Sequence, residues 1–170
     1  MKEKVDYIIS IHKHKLVNPY EIITSNGKNK ESYDYLCKSG TFHQLHNLLL
    51  LMEKINFFSE KYRKPFIINS GFRSPEYNKK VGGSNNSLHT QCLAVDIKDN
   101  DGEIDNWFLE KKDLLIKESC AIESPRYTKN WCHFQVILPN SEKPVFKPYV
   151  KEPSKENYDK NFEELKDEGL

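Results

Sequence analysis

Two imidazoles and one carboxylate stand where they could share a metal ion. His89 and Asp96 lie seven residues apart, between turn-rich clusters and an apolar run, and His133 lies in the apolar segment 131–138. Imidazole and carboxylate groups bind zinc, and three protein ligands leave a fourth position for water, as in catalytic zinc sites. We therefore predict that His89, Asp96 and His133 form a catalytic zinc site.

The alternation of side chains along two predicted strands is consistent with this ligand set. In segment 93–97 the odd-numbered apolar residues suit a core face, which leaves Asp96 on the opposite face. In segment 131–138 the even-numbered residues suit the core, which leaves His133 on the opposite face. The residues predicted to share the face of His133 are Trp131 and Gln135. We expect this face to line a cleft in which both of them contact substrate.

Hydrolysis of an amide at such a site needs further groups. Zinc lowers the pKa of the water that it binds to roughly 7, and a general base must pass the water's proton to the leaving amine. A positive group must also hold the substrate or its developing oxyanion. We interpret Glu123 as the base, with Glu118 as the alternative. Arg73 is the predicted cation, because a guanidinium holds a carboxylate through two hydrogen bonds. A structural role for Arg73, in binding loop carbonyls, stays open.

Hydrophobic spacing and turn signals predict the elements that carry these residues. In the clearest helix, Thr41 is a candidate N-cap and apolar residues recur at spacings of three and four. Ser74 followed by Pro75 marks the start of another helix. The predicted helices span 41–62, 75–81 and 105–117, and the predicted strands span 66–68, 93–97, 120–123 and 131–138. The last two strands are predicted to form a hairpin.

The chain divides into three parts by composition. We predict an N-terminal segment (1–40) packed on the core, a core domain (41–138) and a charged C-terminal tail (139–170). Within the first part, Asp6–Ile11 could form a short strand or a helix. Four prolines interrupt 139–153, and the residues after them are highly charged, which is typical of a tail.

Composition and charge exclude several classes of function. The chain has 170 residues and a net charge of +1, which gives no general attraction to nucleic acid or to an anionic membrane. The longest apolar run, Leu48–Met52, is too short to span a bilayer. The N-terminus lacks the apolar region of a signal peptide, so we expect a protein made in the cytoplasm. Nothing in the sequence indicates an oligomeric state.

The other histidines and the cysteines do not indicate a second metal site. The four cysteines form no CxxC pair, so we expect reduced thiols that are mostly buried. His12 and His14 alternate with lysine and fit a solvated surface. His43 and His46 have a chelating spacing without an acidic partner, and they fit the surface of a helix.

Several motifs occur in an order that resembles a known family. They are Ser70-Gly71-Phe72-Arg73-Ser74, the segment Asn78–Ser84, the segment Ser87–Asp96 and Trp131-Cys132-His133. With these motifs, residues 41–138 resemble the M15 family of zinc peptidases, which includes D-Ala-D-Ala carboxypeptidases and phage endolysins. The same motifs match in order and in spacing, which makes the resemblance specific.

The resemblance implies a small α+β domain of the Hedgehog/DD-peptidase type, in which an antiparallel sheet with flanking helices holds the metal. The residues implied to bind zinc are His89, Asp96 and His133, and those implied to contact substrate are Arg73 and Ser87. The implied reaction is cleavage of a peptidoglycan stem or cross-bridge peptide next to a D-amino acid, in carboxypeptidase or endopeptidase mode. The implied site of action is the cell wall or the periplasm, for a phage or a bacterial enzyme.

Two positions depart from the family pattern. Cys92 replaces a glycine between His89 and Asp96, and a positive φ there would cost about 1–3 kcal/mol. Asn130 stands where some branches carry the catalytic acid, while Glu123 resembles the acid that other branches place before a longer loop. These departures leave open a non-catalytic zinc-containing virion or cell-wall-binding protein of the same fold. Cleavage of a small peptide such as D-Ala-D-Ala itself is a third alternative.

Overall fold

The computed structural model describes residues 1–138 and 150–151, which form an α+β fold around one sheet. The strands are β1 (Ile68–Ser70), β2 (Ala94–Lys98), β3 (Cys120–Glu123), β4 (Trp131–Val136) and β5 (Val150–Lys151). Their order in the sheet is β1-β2-β4-β3-β5, with the first four antiparallel and β5 parallel to β3. The predicted fold class, a small antiparallel sheet with flanking helices, is confirmed.

Helices precede the sheet in the chain and connect its strands. They are α1 (Lys2–His12), α2 (Pro19–Thr24), α3 (Lys30–Ser39), α4 (Phe42–Tyr62), α5 (Pro75–Lys80), the 3-10 helix Leu88–Gln91, α6 (Glu103–Glu110) and α7 (Lys112–Lys117). No helix among the described residues is long and apolar enough to cross a membrane.

Helix α4 begins at the predicted cap and covers the core face of the sheet. The Thr41 hydroxyl accepts a hydrogen bond from the backbone N–H of Gln44, and the Gln44 side chain accepts one from the backbone N–H of Thr41. This capping box satisfies donors at the helix start that would otherwise lack partners. Further along, Phe58 packs against Phe134 and Phe108, with ring centroids 5.5 and 5.3 Å apart.

Several predicted elements have different bounds in the structure, among them strand 93–97, which is Ala94–Lys98, and helix 75–81, which ends at Lys80. The helix predicted over 105–117 is two helices, α6 and α7, which meet at Lys111 with φ −104° and ψ 26°. The break lies in a charged stretch and turns Leu115 into the core, where it is fully buried. Strand β1 begins at Ile68 instead of 66, and strand β4 ends at Val136 instead of 138.

The N-terminal helices α1, α2 and α3 contribute to the same hydrophobic core as the sheet. The segment Asp6–Ile11, ambiguous in the sequence, lies within α1. The buried apolar side chains before residue 40 are Val5, Ile8, Val17, Ile22, Ile23 and Leu36. Of the predicted tail, residues 139–149 and 152–170 lie outside the described residues.

Candidate metal centre

The strand register brings two of the predicted ligands together. Asp96 in β2 lies directly opposite His133 in β4, and Ser70 in β1 lies opposite Asp96 on its other side. The alternate β4 residues Cys132 and Phe134 are fully buried in the core. Asp96 and His133 therefore project from the other face of the sheet, as the alternation of side chains indicates.

The 3-10 helix brings the third predicted ligand to the same point. His89 Nε2 lies 3.3 Å from Asp96 Oδ1, and His133 Nδ1 lies 2.7 Å from the same oxygen. One donor atom from each of the three residues falls within 4.8 Å of the others. All three side chains are buried. The structure thus assembles the His-Asp-His set, with His89 facing the centre through Nε2 and His133 through Nδ1.

A backbone carbonyl fixes the tautomer of His89. His89 Nδ1 donates to the Gly71 carbonyl at 2.7 Å, because a carbonyl can only accept. The proton on Nδ1 leaves the lone pair of Nε2 free to bind a metal, which is how metal-binding histidines are commonly oriented.

Gly71 is held in place by helix α2. The Phe72 N–H donates to the Ile22 carbonyl at 2.8 Å, and the Gly71 N–H donates to Ser25 Oγ at 3.1 Å. A Cβ added at Gly71 would lie 1.9 Å from the Ile22 carbonyl oxygen. Glycine is therefore required here, because the backbones of Gly71 and Ile22 approach so closely. The Gly71 carbonyl binds His89 through one hydrogen bond, so the position of Gly71 also affects His89.

The 3-10 helix that carries His89 is tied to helix α4 as well. Gln44 Nε2 donates to the Thr90 carbonyl and Asn47 Nδ2 donates to the Gln91 carbonyl, both at 2.9 Å. These amides satisfy carbonyls at the end of a short helix that has few bonds of its own. Helix α4 thus anchors His89 from the core side.

Arg73 contacts Asp96 on the oxygen that faces away from the histidines. Its Nη2 donates to Asp96 Oδ2 at 2.7 Å, and its Nε donates to Ser70 Oγ at 2.9 Å. The guanidinium therefore fixes the orientation of the carboxylate ligand. The sequence predicts Arg73 as a cation that holds substrate. It does not predict the contact with Asp96, because the two residues lie on different elements. Contact between Arg73 and substrate stays a prediction.

Charge in the cluster is set by burial and by the ligands themselves. Burial opposes ionisation of Asp96, but the neighbouring His89 and His133 outweigh it and hold the pKa of this carboxyl well below its usual range. Burial lowers the pKa of His89. Burial acts the same way on His133, but the hydrogen bond and charge of Asp96 outweigh it and raise that pKa. An ionised Asp96 and a neutral His89 are the forms that bind a metal.

Glu123 lies beside the cluster, at the end of β3. The register pairs Ile122 with Phe134, and continued by one residue it sets Glu123 opposite His133. Glu123 is half-buried, and its charge is one of the influences that raise the pKa of His133. Asp96, His133 and Glu123 thus form one row across three neighbouring strands.

Glu118, the alternative base, lies at the other end of β3. Its carboxylate accepts a hydrogen bond from Lys54 Nζ at 3.0 Å, and both side chains are largely buried. Residues at that end of β3 pair with Val136, away from His133. Glu123, and not Glu118, therefore lies beside His133.

The predicted substrate residues surround the cluster on different elements. Ser87 precedes the 3-10 helix, is half-buried and makes no side-chain cap hydrogen bond. Trp131 is half-buried at the start of β4, on the face of His133 and opposite Lys98. Gln135, two residues after His133, is buried on the same face.

The two departures from the family pattern both have left-handed backbone. Cys92 ends the 3-10 helix with φ 59°, so it adopts a conformation that favours glycine. Its thiol is buried, which raises its pKa, and it does not belong to the metal-binding group found among the described residues. Asn130 has φ 67°, which asparagine tolerates better than most residues. A turn that takes positive φ accounts for asparagine at this position.

The donor set suits zinc. Two imidazoles and one carboxylate, already oriented by Gly71 and Arg73, match the ligand types of catalytic zinc sites. Among residues 1–138 and 150–151, His89, Asp96 and His133 are the one group of three or more candidate ligands. His12, His14, His43 and His46 are not part of it.

The fold and the site together define an α+β protein with a candidate His-Asp-His metal centre on one face of an antiparallel sheet. A family model described as Peptidase M15 matches residues 16–115, which is 100 of the 170 residues. The chain therefore belongs to the M15 peptidase family, a family of metallopeptidases that depend on zinc in general.

The span of the match differs from the span of the motifs. It includes His89 and Asp96 and ends before His133, so the third ligand rests on the strand register and the distances. It begins at residue 16, before the region that carries the motifs, and so takes in α2 and α3. No curated protein matches the chain.

Proposed function

We propose that this M15 peptidase hydrolyses peptidoglycan stem or cross-bridge peptides next to D-amino acids, as a D-Ala-D-Ala carboxypeptidase or endopeptidase. The observation that carries the proposal is the convergence of His89, Asp96 and His133, whose donor atoms lie within 4.8 Å of one another. The substrate class follows from the motifs that resemble the peptidoglycan-cleaving branches of the family. The proposed site of action is the bacterial cell wall or periplasm, for an enzyme of a phage or of a bacterium.

His89 Nε2, Asp96 Oδ1 and His133 Nδ1 would hold the zinc ion. When bound, zinc would supply a Lewis acid and lower the pKa of water toward neutrality. Arg73 keeps Asp96 Oδ2 occupied, so Oδ1 is the carboxylate oxygen directed at the two imidazoles. The Gly71 carbonyl likewise keeps His89 Nε2 deprotonated.

Glu123 would act as the general base and then as the general acid. From its position opposite His133, its carboxylate would accept a proton from the attacking water and deliver it to the leaving amine nitrogen. Unlike Glu118, it makes no ion pair with another residue among those described.

Arg73 would serve a second role beside the orientation of Asp96. The hydrogen bonds to Asp96 and Ser70 use Nη2 and Nε, and the N–H groups on Nη1 could hold a substrate carboxylate or the developing oxyanion. Ser87 and Trp131 would contact the peptide on either side of the centre.

A digest of purified peptidoglycan tests the proposal. We expect new fragments in a mass spectrum of the digest, with the mass of a hydrolysed peptide bond beside a D-amino acid. A chelator should abolish them, and added Zn²⁺ should restore them. Comparison of free D-Ala-D-Ala with a cross-linked muropeptide separates dipeptidase, carboxypeptidase and endopeptidase modes. Chelator-insensitive products, or none with any of these substrates, would contradict the proposal.

One observation favours a non-catalytic alternative. Asn130 carries a neutral amide at the position where some branches of the family carry the catalytic acid. A zinc-containing virion or cell-wall-binding protein would bind peptidoglycan in a pull-down and release no fragments. Binding without products in the same digest would support this second function.

A further inference from the structure

Gln135 lies in the row of residues next to the candidate metal centre. In the strand register it pairs with Ala94 in β2 and with Ala121 in β3. It projects from the same face as His133, two residues away, which corresponds to about 6.8 Å along an antiparallel strand. A group bound by Gln135 would therefore lie beside a group bound at the centre.

The amide of Gln135 lacks a partner in the part of the chain that the structure describes. Gln135 is 4% exposed, yet its side chain makes no hydrogen bond with any described residue. Other amides on buried surfaces are paired: Asn47 donates to the Gln91 carbonyl and Asn56 donates to the Val17 carbonyl. A buried amide without a partner is unfavourable, and such groups are commonly satisfied by water or by a ligand.

The amide of Gln135 still has access from outside. Among the described residues, the side-chain atoms that have neither exposed surface nor a hydrogen-bond partner belong to Asn78, Asp105 and Thr128. Gln135 is not one of them, so its amide keeps some exposed surface. The exposed fraction is comparable to those of His89 and His133, which are 3% and 9% exposed. Gln135 therefore keeps about as much exposed surface as the candidate ligands beside it.

The surroundings of Gln135 suit a neutral partner. Its neighbours in the register, Ala94 and Ala121, are fully buried and carry no charge, whereas the neighbouring row holds Asp96 and His133. A primary amide offers an acceptor oxygen and a donor NH2 group. These match the N–H and the C=O of a peptide unit.

We infer that Gln135 binds the peptide unit of the substrate next to the scissile bond, through the acceptor oxygen and the donor NH2 group of its amide. This inference rests on the proposed function, and it gives the predicted substrate residue Gln135 a specific role: selection for an unmodified peptide link beside the cleaved bond. It also sets the direction of the substrate, which runs along β4 from His133 toward Gln135.

The first test replaces the amide by an apolar side chain of similar length, Gln135→Met, in the full zinc-loaded chain. With muropeptides as substrate, kcat/KM should fall about 10- to 100-fold, while zinc content and Tm stay equal to or above those of the unchanged protein. A lower Tm with unchanged kcat/KM would overturn the inference, because it indicates a structural role. Gln91→Met is the matched control, since the Gln91 side chain is exposed, and it should change neither quantity.

The second test changes the substrate instead of the enzyme. Stem peptides are N-methylated at the peptide unit on one side or the other of the scissile bond, which removes a single N–H. At one of the two positions the unchanged enzyme should lose about tenfold in kcat/KM, and Gln135→Met should lose nothing further there. Equal losses in both enzymes at both positions would overturn the inference.

Binding measurements separate this inference from the proposed reaction. In zinc-loaded Glu123→Gln, the side-chain NH2 signals of Gln135 are followed by NMR while a muropeptide is added. Shifted signals without turnover by the unchanged enzyme would reject the reaction and keep the inference. Turnover with unshifted signals and an active Gln135→Met enzyme would reject the inference and keep the reaction. A muropeptide that is neither bound nor cleaved rejects both.

Discussion

At the scale of single residues, His89 and Asp96 are fixed by groups that are not ligands themselves. The Gly71 carbonyl holds one nitrogen of His89, and Arg73 holds one oxygen of Asp96. Such partners orient ligands before a metal arrives, and their loss commonly lowers metal affinity about 10- to 100-fold. The metal centre is therefore a property of five or more residues, of which three would touch the ion.

Gly71→Ala should weaken zinc binding without a change in any ligand. The new methyl group would lie 1.9 Å from the Ile22 carbonyl, so the loop must move and the hydrogen bond to His89 must lengthen. We expect about a 10- to 100-fold loss of zinc affinity, measured by competition with a chelating dye. Gly82→Ala is the matched control for backbone strain, because the φ of Gly82 is 71° but no atom lies within 4 Å of its added Cβ. Equal zinc affinity of the two variants would contradict this account.

Glu123→Gln should separate metal binding from turnover. The change removes the proposed base and leaves His89, Asp96 and His133 in place, so zinc content should be unchanged and kcat should fall about 10²- to 10⁴-fold. Glu118→Gln provides the comparison: it removes the ion pair with Lys54, lowers stability by up to about 1 kcal/mol and should retain turnover. Undiminished turnover by Glu123→Gln would show that another group is the base.

At the scale of elements, helix α6 places a carboxyl group behind the metal-bearing strand. Asp105 is 4% exposed, and one of its oxygens has no hydrogen-bond partner among the described residues. Burial raises the pKa of Asp105 to about 6, the Cys132 thiol opposes this by a hydrogen bond, and Asp99 adds to it. The folded protein thus holds a proton that the unfolded chain loses at lower pH.

Stability should consequently fall as pH rises through this range. The ordinary pKa of the Asp105 carboxyl is 3.8, and its pKa in the folded protein is about 6. Its contribution to the free energy of unfolding is therefore fully present below pH 3.8 and is lost above about pH 6. Asp105→Asn should remove this dependence and stabilise the protein at pH 8 by on the order of 2 kcal/mol. Urea unfolding at pH 4, 6 and 8 measures both effects. The exposed Asp113→Asn should show neither. A change in stability between pH 4 and pH 8 that is the same in Asp105→Asn as in the unchanged protein would contradict the assignment.

The elements that could be predicted are those whose sequence signals lie within the element itself. Thr41 and the apolar spacing after it predict α4, and alternation predicts the faces of Asp96 and His133. The contact of Arg73 with Asp96 joins residues 23 positions apart, and the burial of Asp105 depends on how helix α6 packs. No local sequence pattern predicts either feature. The break at Lys111 was likewise not predictable, because both halves of 105–117 have helical spacing.

At the scale of the whole molecule, the N-terminal helices share one hydrophobic core with the sheet. Ile22 in α2 is fully buried, and its carbonyl holds the loop that orients His89. The family match also begins before α2. The core thus extends well before the first motif residue.

Ile22→Ala should therefore destabilise the entire domain. Removal of a fully buried isoleucine costs about 2–5 kcal/mol, and the loss should appear as one cooperative shift in Tm. Ile11→Ala, at a side chain that is 43% exposed, should change stability by less than about 0.5 kcal/mol. Two separate melting transitions, of which only one shifts, would indicate that the N-terminal helices form an independent unit.

The short strands at the two edges of the sheet limit how a peptide can bind. β1 has three residues and an irregular register with β2, and β5 has two residues that pair with β3. Proteins that bind an extended peptide by β-augmentation offer it a long free strand edge. Neither edge of this sheet, within the described residues, offers such a strand. We therefore expect a peptide substrate to lie on the face of the sheet, along β4, where side chains rather than backbone hydrogen bonds would select it. Specificity could then change by substitution without a change in fold.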